Sequence, residues 1–174
     1  SLTIPALNNT TNDKQYFAQY KKAVAVFSQT IDRMNVENKY KRGNIDKSFE
    51  NFKTYFNIAK DCSKDGSASD CWDYDADDKG PCPASKDVFV DISGIAWALP
   101  SNTVWGFTVD INGIKGPNRY GKDRWCIFSA DKDGQYNDGT KKPISALPYP
   151  NADYTSKSSE CKYPPCYYQS AISR

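Results

Sequence analysis

Between Asn12 and Met34 the apolar positions fall at Tyr16, Phe17, Tyr20, Ala23, Val24, Phe27, Ile31 and Met34. Steps of three and four place them on one side of a long α-helix. Lys14, Lys21, Lys22, Asp32 and Arg33 fall mostly off that stripe. Asn12 with Gln15 can form a local capping box, and the pattern predicts an end near Lys41-Arg42 with Gly43 as the stop. A second, shorter helix follows Asp46 as N-cap, burying Phe49, Phe52, Tyr55, Phe56 and Ala59 and stopping around Asp61-Cys62. From there to Lys86 the chain reads as a loop rich in Asp, Ser, Gly and Pro.

From Val88 the pattern turns to strands. Phe89–Ile92, Ile95–Ala98 and Thr103–Ile111 are the candidates, and Arg124–Phe128 pairs back onto the last as a hairpin partner. Between those two strands stand Gly113, Gly116, Pro117, Asn118 and Gly121, which supply the special backbone states of a shaped turn. Asp110, Asn112, Asn118 and Asp123 are placed to bond the backbone of that turn. The fold class expected is α+β in a single unit over 1–174. It comprises a helical spine (1–42), a second helix with a Cys- and Asp-rich loop (43–87), an antiparallel sheet (88–129) and an irregular C-terminal region (130–174).

Charge changes the picture locally. The net charge of +2 predicts no general attraction to nucleic acid. Residues 1–60, however, carry 10 Lys/Arg against 5 Asp/Glu, whereas 61–100 carry 3 against 9. Within the acidic loop, Asp73, Asp75 and Asp77 alternate as calcium ligands do, but the sixth and twelfth positions from Asp73 hold Asp78 and Ala84. A calcium loop needs glycine and an acid there, so the reading is a solvated acidic loop. Asp131, Asp133 and Asp138 form either an ordinary turn or a set of calcium ligands.

The chain has no histidine and six cysteines without a Cys-x-x-Cys pair, which argues against zinc and removes the usual base of Ser and Cys hydrolases. No catalytic constellation stands out, and the expectation is a non-enzymatic protein without a required cofactor. Loop-rich surroundings favour disulfides and an oxidising compartment. Short loop closure favours Cys62–Cys71 and Cys161–Cys166, leaving Cys82–Cys126 to tie the loop to the sheet.

Leu2-Thr3-Ile4-Pro5-Ala6-Leu7 with Asp13-Lys14-Gln15, the run Val109-Asp110-Ile111-Asn112-Gly113-x-Lys115-Gly116-Pro117-Asn118-x-x-Gly121-x-Asp123, and Tyr55-Phe56-Asn57-x-x-Lys60-x-Cys62 followed by Cys71-Trp72 together resemble type IV pilins and type II secretion pseudopilins. The resemblance implies a pilin-like fold and a filament subunit whose partners are other such subunits. It further implies anchoring in the bacterial inner membrane by a hydrophobic segment ahead of Ser1, with the filament periplasmic or extracellular. On this reading Tyr16, Tyr20, Ala23, Val24, Phe27, Ile31 and Met34 form a face shared between the subunit's own sheet and its neighbours. The alternative is a secreted or surface module that holds a glycan or protein through its aromatic and acidic loops.

Overall fold

The computed structural model describes residues 3–39, 45–76, 82–101, 106–120, 122–129 and 146–148. Helix α1 spans Thr3–Val36 and α2 spans Ile45–Lys53. Six strands follow: β1 Ile58–Asp61, β2 Ala84–Asp91, β3 Ala96–Pro100, β4 Gly106–Asp110, β5 Arg124–Ser129 and β6 Ala146–Pro148. They form one antiparallel sheet in sequential order, β1 to β6. The expected α+β class holds.

Alternation along the strands divides the sheet into two faces. Phe89, Trp97, Phe107, Val109, Trp125 and Ile127 point toward the helices and join Phe17, Tyr20, Ala23, Phe27, Ile31, Met34, Phe49 and Phe52 in the main core. Its centre is aromatic. Phe52 stacks on Phe107 with centroids 4.1 Å apart, Phe27 meets both edge-on, and Tyr20 stacks on Trp125 at 4.2 Å. Such pairs contribute about 0.5–1.5 kcal/mol each beyond their buried area. On the opposite face, Val88, Ala96 and Ala98 are covered by Cys62, Ala68, Cys71 and Trp72. The molecule therefore has three layers: helices, sheet, and a loop layer built from 61–76.

Several boundaries differ from the sequence reading. Helix α1 is continuous from Thr3, so Asn12 lies within it rather than capping it. Pro5 falls in its first turn, where a missing N–H costs little. The five residues Asn8–Asn12 each cost a few tenths of a kcal/mol relative to alanine, a sum that burial of the downstream stripe outweighs. The helix ends before the expected stop, and Gly43 itself lies outside the described residues. Asn38 adopts φ 55°, its N–H bonds the Asn35 carbonyl, and the Lys39 N–H bonds the Met34 carbonyl. That is a Schellman ending, with asparagine taking the left-handed position that glycine usually fills.

Helix α2 starts at Ile45, so Asp46 is inside it, and it stops at Lys53 rather than near Cys62. Three successive N–H groups, of Thr54, Tyr55 and Phe56, bond carbonyls three residues back and tighten the exit. This turns Phe56 onto Phe52, Phe89 and Trp97, and frees Ile58–Asp61 to pair with β2 as a strand. Ala59 is exposed on that strand, not buried on a helix.

The expected hairpin of β4 and β5 forms, with Thr108 opposite Cys126 and Asp110 opposite Arg124. Of the strand predicted over Thr103–Ile111, residues 106–110 form β4, while Thr103, Val104 and Trp105 lie outside the described residues. The C-terminal region was expected to be irregular. Ala146–Pro148 instead extends the sheet beside β5.

Candidate functional site

The turn between β4 and β5 is built from its own polar side chains, as the sequence implied. Gly113 (φ 70°) and Asn118 (φ 56°) take left-handed conformations, and the Gly116–Pro117 peptide is cis. A Cβ on Gly113 would meet the Gly94 carbonyl oxygen at 3.2 Å, so the absence of a side chain lets the turn approach the β2–β3 connection. Asp110 Oδ1 accepts the Asn112 N–H, and Asn112 Nδ2 donates to the Gly116 carbonyl. The carboxylate of Asp123 accepts the N–H groups of Asn118 and Arg119 at 2.8 and 2.7 Å. Gly121 lies outside the described residues.

The same turn is fastened to the loop layer through contacts that the sequence did not reveal. Arg124 is buried. Its Nε donates to Asp110 Oδ2 at 2.9 Å, its Nη2 donates to the Asp73 carbonyl at 2.8 Å, and its guanidinium lies 4.5 Å from the centre of the Trp72 ring. Asn118 Nδ2 donates to Asp73 Oδ2, while Asp73 Oδ1 accepts the N–H groups of Asp75 and Ala76. Asp73 thus serves as a brace for its loop and for the turn. Burial pushes the Asp110 carboxyl well above the usual carboxylate range, helped by the neighbouring Asp123 and opposed by Arg124. Burial also raises Asp123, against the N–H groups it accepts.

Two further polar clusters hold the fold. Asp91 accepts bonds from the Ser93 and Ile95 N–H groups, the Ser93 hydroxyl and Trp97 Nε1, fixing the β2–β3 turn. Lys53 reaches Glu50 at 2.8 Å, Asp61 at 2.9 Å and the Ser63 hydroxyl at 3.1 Å. Burial opposes the charge of Asp61, but the Ser63 hydroxyl and the Lys53 ammonium outweigh it and bring its pKa to about 2.

The helical face places differently from its sequence assignment. Tyr20, Ala23, Phe27, Ile31 and Met34 are completely buried against the chain's own sheet and α2, while Tyr16 and Val24 pack partly buried at the margin. Five of the seven side chains read as shared with neighbouring subunits are therefore consumed inside one chain. The stripe is as wide as the core it fills, which periodicity alone does not reveal.

Both interior disulfides form as loop closure suggested, Cys62–Cys71 and Cys82–Cys126. They sit on the loop side of the sheet, where the Tyr120 hydroxyl ties Thr108 to the Cys82 carbonyl. Cys161 and Cys166 lie outside the described residues, as do Asp131, Asp133 and Asp138. Among the described residues, no three His, Cys, Asp or Glu side chains are grouped to hold a metal ion. Nor is any described helix long and apolar enough to cross a membrane.

Two concavities stand out. A cleft of about 720 Å³ opens between α1 and the two turns, lined by Gln15, Gln19, Lys22, Gly94, Asn112 and Lys115 among others. A smaller one of about 190 Å³ lies in the loop layer between Trp72, Tyr74, Tyr120 and Arg124. Burial raises the Tyr74 hydroxyl to about 12, and that hydroxyl donates to the Ser85 carbonyl. Searches against protein-family profiles, curated proteins and solved structures find no match to this chain.

Proposed function

We propose that the chain is a structural subunit, a pilin or pseudopilin, of a type IV pilus or type II secretion-like filament, polymerising through α1 with the sheet and loop layers as its cap. The observation that carries this reading is the mismatch between helix and sheet. The 34 residues of α1 extend about 51 Å at ~1.5 Å per residue. Six strands spaced ~4.8 Å apart span only about 24 Å. Among the described α1 side chains, Phe17, Tyr20, Ala23, Phe27, Ile31 and Met34 are buried in the chain's own core, and on this reading the turns ahead of them make the intersubunit contacts. In this proposal the apolar stripe holds the cap, and the amino-terminal turns, continued by an apolar segment ahead of Ser1, hold the filament. Such a subunit sits in the bacterial inner membrane before assembly and in a periplasmic or extracellular filament afterwards. The two disulfides suit an oxidising compartment of that kind.

The test is expression of the full native gene product with negative-stain microscopy, beside a strain lacking prepilin peptidase. Filaments that disappear without the peptidase support the proposal. A product secreted as a free monomer, with no apolar segment ahead of Ser1, refutes it. The loop-layer cleft with its three aromatic rings favours a second reading, a surface module that holds a glycan. Binding to a panel of immobilised glycans that is lost in Tyr74→Ala would support it.

A further inference from the structure

Among the described residues, the cleft between α1 and the turns is a cationic groove without an internal counter-charge. Lys22 and Lys115 are both exposed on its walls, neither has an ion-pair partner among the described residues, and no acidic side chain lines it. Exposed apolar residues stand next to its lining residues in the chain. Three large hydrophobic side chains are conspicuously exposed among the described residues, and two of them, Ile92 (71%) and Ile114 (48%), adjoin groove residues Ser93 and Lys115. Exposed apolar side chains beside unpaired charge are the composition of a contact surface.

The complementary charge is on the same chain but out of its reach. Asp75 belongs to the loop layer next to Tyr74, whose hydroxyl donates to the Ser85 carbonyl two residues before Asp87 on β2. Both aspartates are exposed and without an ion-pair partner among the described residues. Lys86 stands at the same edge, but its ammonium is seated over the Tyr74 ring at 3.6 Å. The helix layer that forms one wall of the groove and the loop layer that carries Asp75 cover opposite faces of the sheet, and Asp87 stands on β2.

We infer that the Lys22/Lys115 groove receives the Asp75/Asp87 edge of a second copy of this chain. The inference rests on the filament reading and names the cap-to-cap contact within it. Because the two surfaces differ, the contact is heterologous. Each added copy leaves one free groove and one free acidic edge, so the array propagates instead of closing as a two-fold dimer. The groove lysines steer approach, and the exposed Ile92 and Ile114 in the adjoining turns supply burial once the copies meet.

The experiment uses filaments of the full native gene product and, in parallel, the 174-residue chain in solution. All four side chains are exposed, so charge reversal leaves each variant folded, which a thermal melt verifies. Lys22→Glu with Lys115→Glu, and separately Asp75→Lys with Asp87→Lys, are expected to cut filament yield at least tenfold. The combined four-site swap is expected to restore it to within about threefold. Concentration-dependent sedimentation of the 174-residue chain should follow the same order and weaken as salt shortens the ~8 Å screening length. Normal filaments from both reversed pairs overturn the inference while leaving the filament reading intact. Failure of the four-site swap to rescue also overturns it. Wild type that forms no filament, but self-associates in solution with the swap pattern above, sinks the filament reading and keeps the contact. Wild type that neither polymerises nor self-associates sinks both.

Discussion

Replacing Arg124 by methionine tests the most heavily coupled point of the structure. The substitution keeps much of the stem that packs against Trp72 and removes the guanidinium. It leaves Asp110 buried beside Asp123 without its cation, and the Asp73 carbonyl without its donor. Breaking a buried pair from one side typically costs about 3–5 kcal/mol, a large share of a small domain's ~5–15 kcal/mol. Asp110→Asn should cost less, about 1–3 kcal/mol, because the amide oxygen still accepts one bond and the Arg124 cation it leaves behind keeps the neighbouring Asp123 carboxylate and the Trp72 ring. The double variant should be less destabilised than the sum by at least ~1 kcal/mol. Urea unfolding monitored by tryptophan fluorescence measures all three. The pH dependence supplies an independent sign. A carboxyl whose folded pKa is raised above its unfolded value binds its proton more tightly in the folded state, so its contribution to stability falls as pH rises. Without Arg124 the Asp110 carboxyl rises further, and the Arg124→Met variant should recover stability on acidification from about pH 7 toward pH 5. A variant within ~1 kcal/mol of wild type, or one that acid weakens over that range, would refute the account of this pair.

Three other expectations can be checked with the same material. Replacing both cysteines of Cys82–Cys126 by serine should cost about 4 kcal/mol and both of Cys62–Cys71 about 2.6 kcal/mol, in proportion to loop closure over separations of 44 and 9 residues; paired denaturant curves test the order. Phe27→Ala should cost about 3–5 kcal/mol, and Phe27→Asp should unfold the domain outright instead of selectively blocking assembly, a difference that circular dichroism of the soluble chain decides. Asp61, whose folded pKa of about 2 lies below its unfolded value, lends stability above about pH 4 that is lost as pH falls through 2; Asp61→Asn should abolish that acid-side slope, worth at most about 1 kcal/mol at a partly exposed site, and a pH series of thermal melts reads it.

The helical stripe and the β4–β5 hairpin were legible because each is local: one follows a 3.6-residue period, the other alternates on both sides of a glycine turn. Strand β1 was not legible. Tyr55, Phe56 and Ala59 continue the helical spacing of Phe49 and Phe52, and only pairing with β2, some thirty residues later, overrides it. The turn carboxylates were recognisable as backbone acceptors, and Asp110 and Asp123 do act that way. Pairing of Asp110 with Arg124 could have been found by counting cross-strand register outward from the turn. No count along the chain brings Asp73 to Asn118 or Trp72 to Arg124, since the loop layer's path over the sheet is set by packing at long range. The stop at Asn38 was missed for a simpler reason: glycine is the usual signal for a left-handed position, and asparagine fills it here.

The two sides of the sheet are secured by different means, and this bears on how the protein tolerates change. One side adheres through tightly interlocked rings, where altering a single volume disturbs its neighbours. The other is held by a smaller apolar cluster and pinned at discrete points, two sulfur bridges and an arginine clamp, between which added chain length carries a small entropic expense. Divergent versions of this protein should keep the ringed side nearly fixed and place their insertions between the pins on the other.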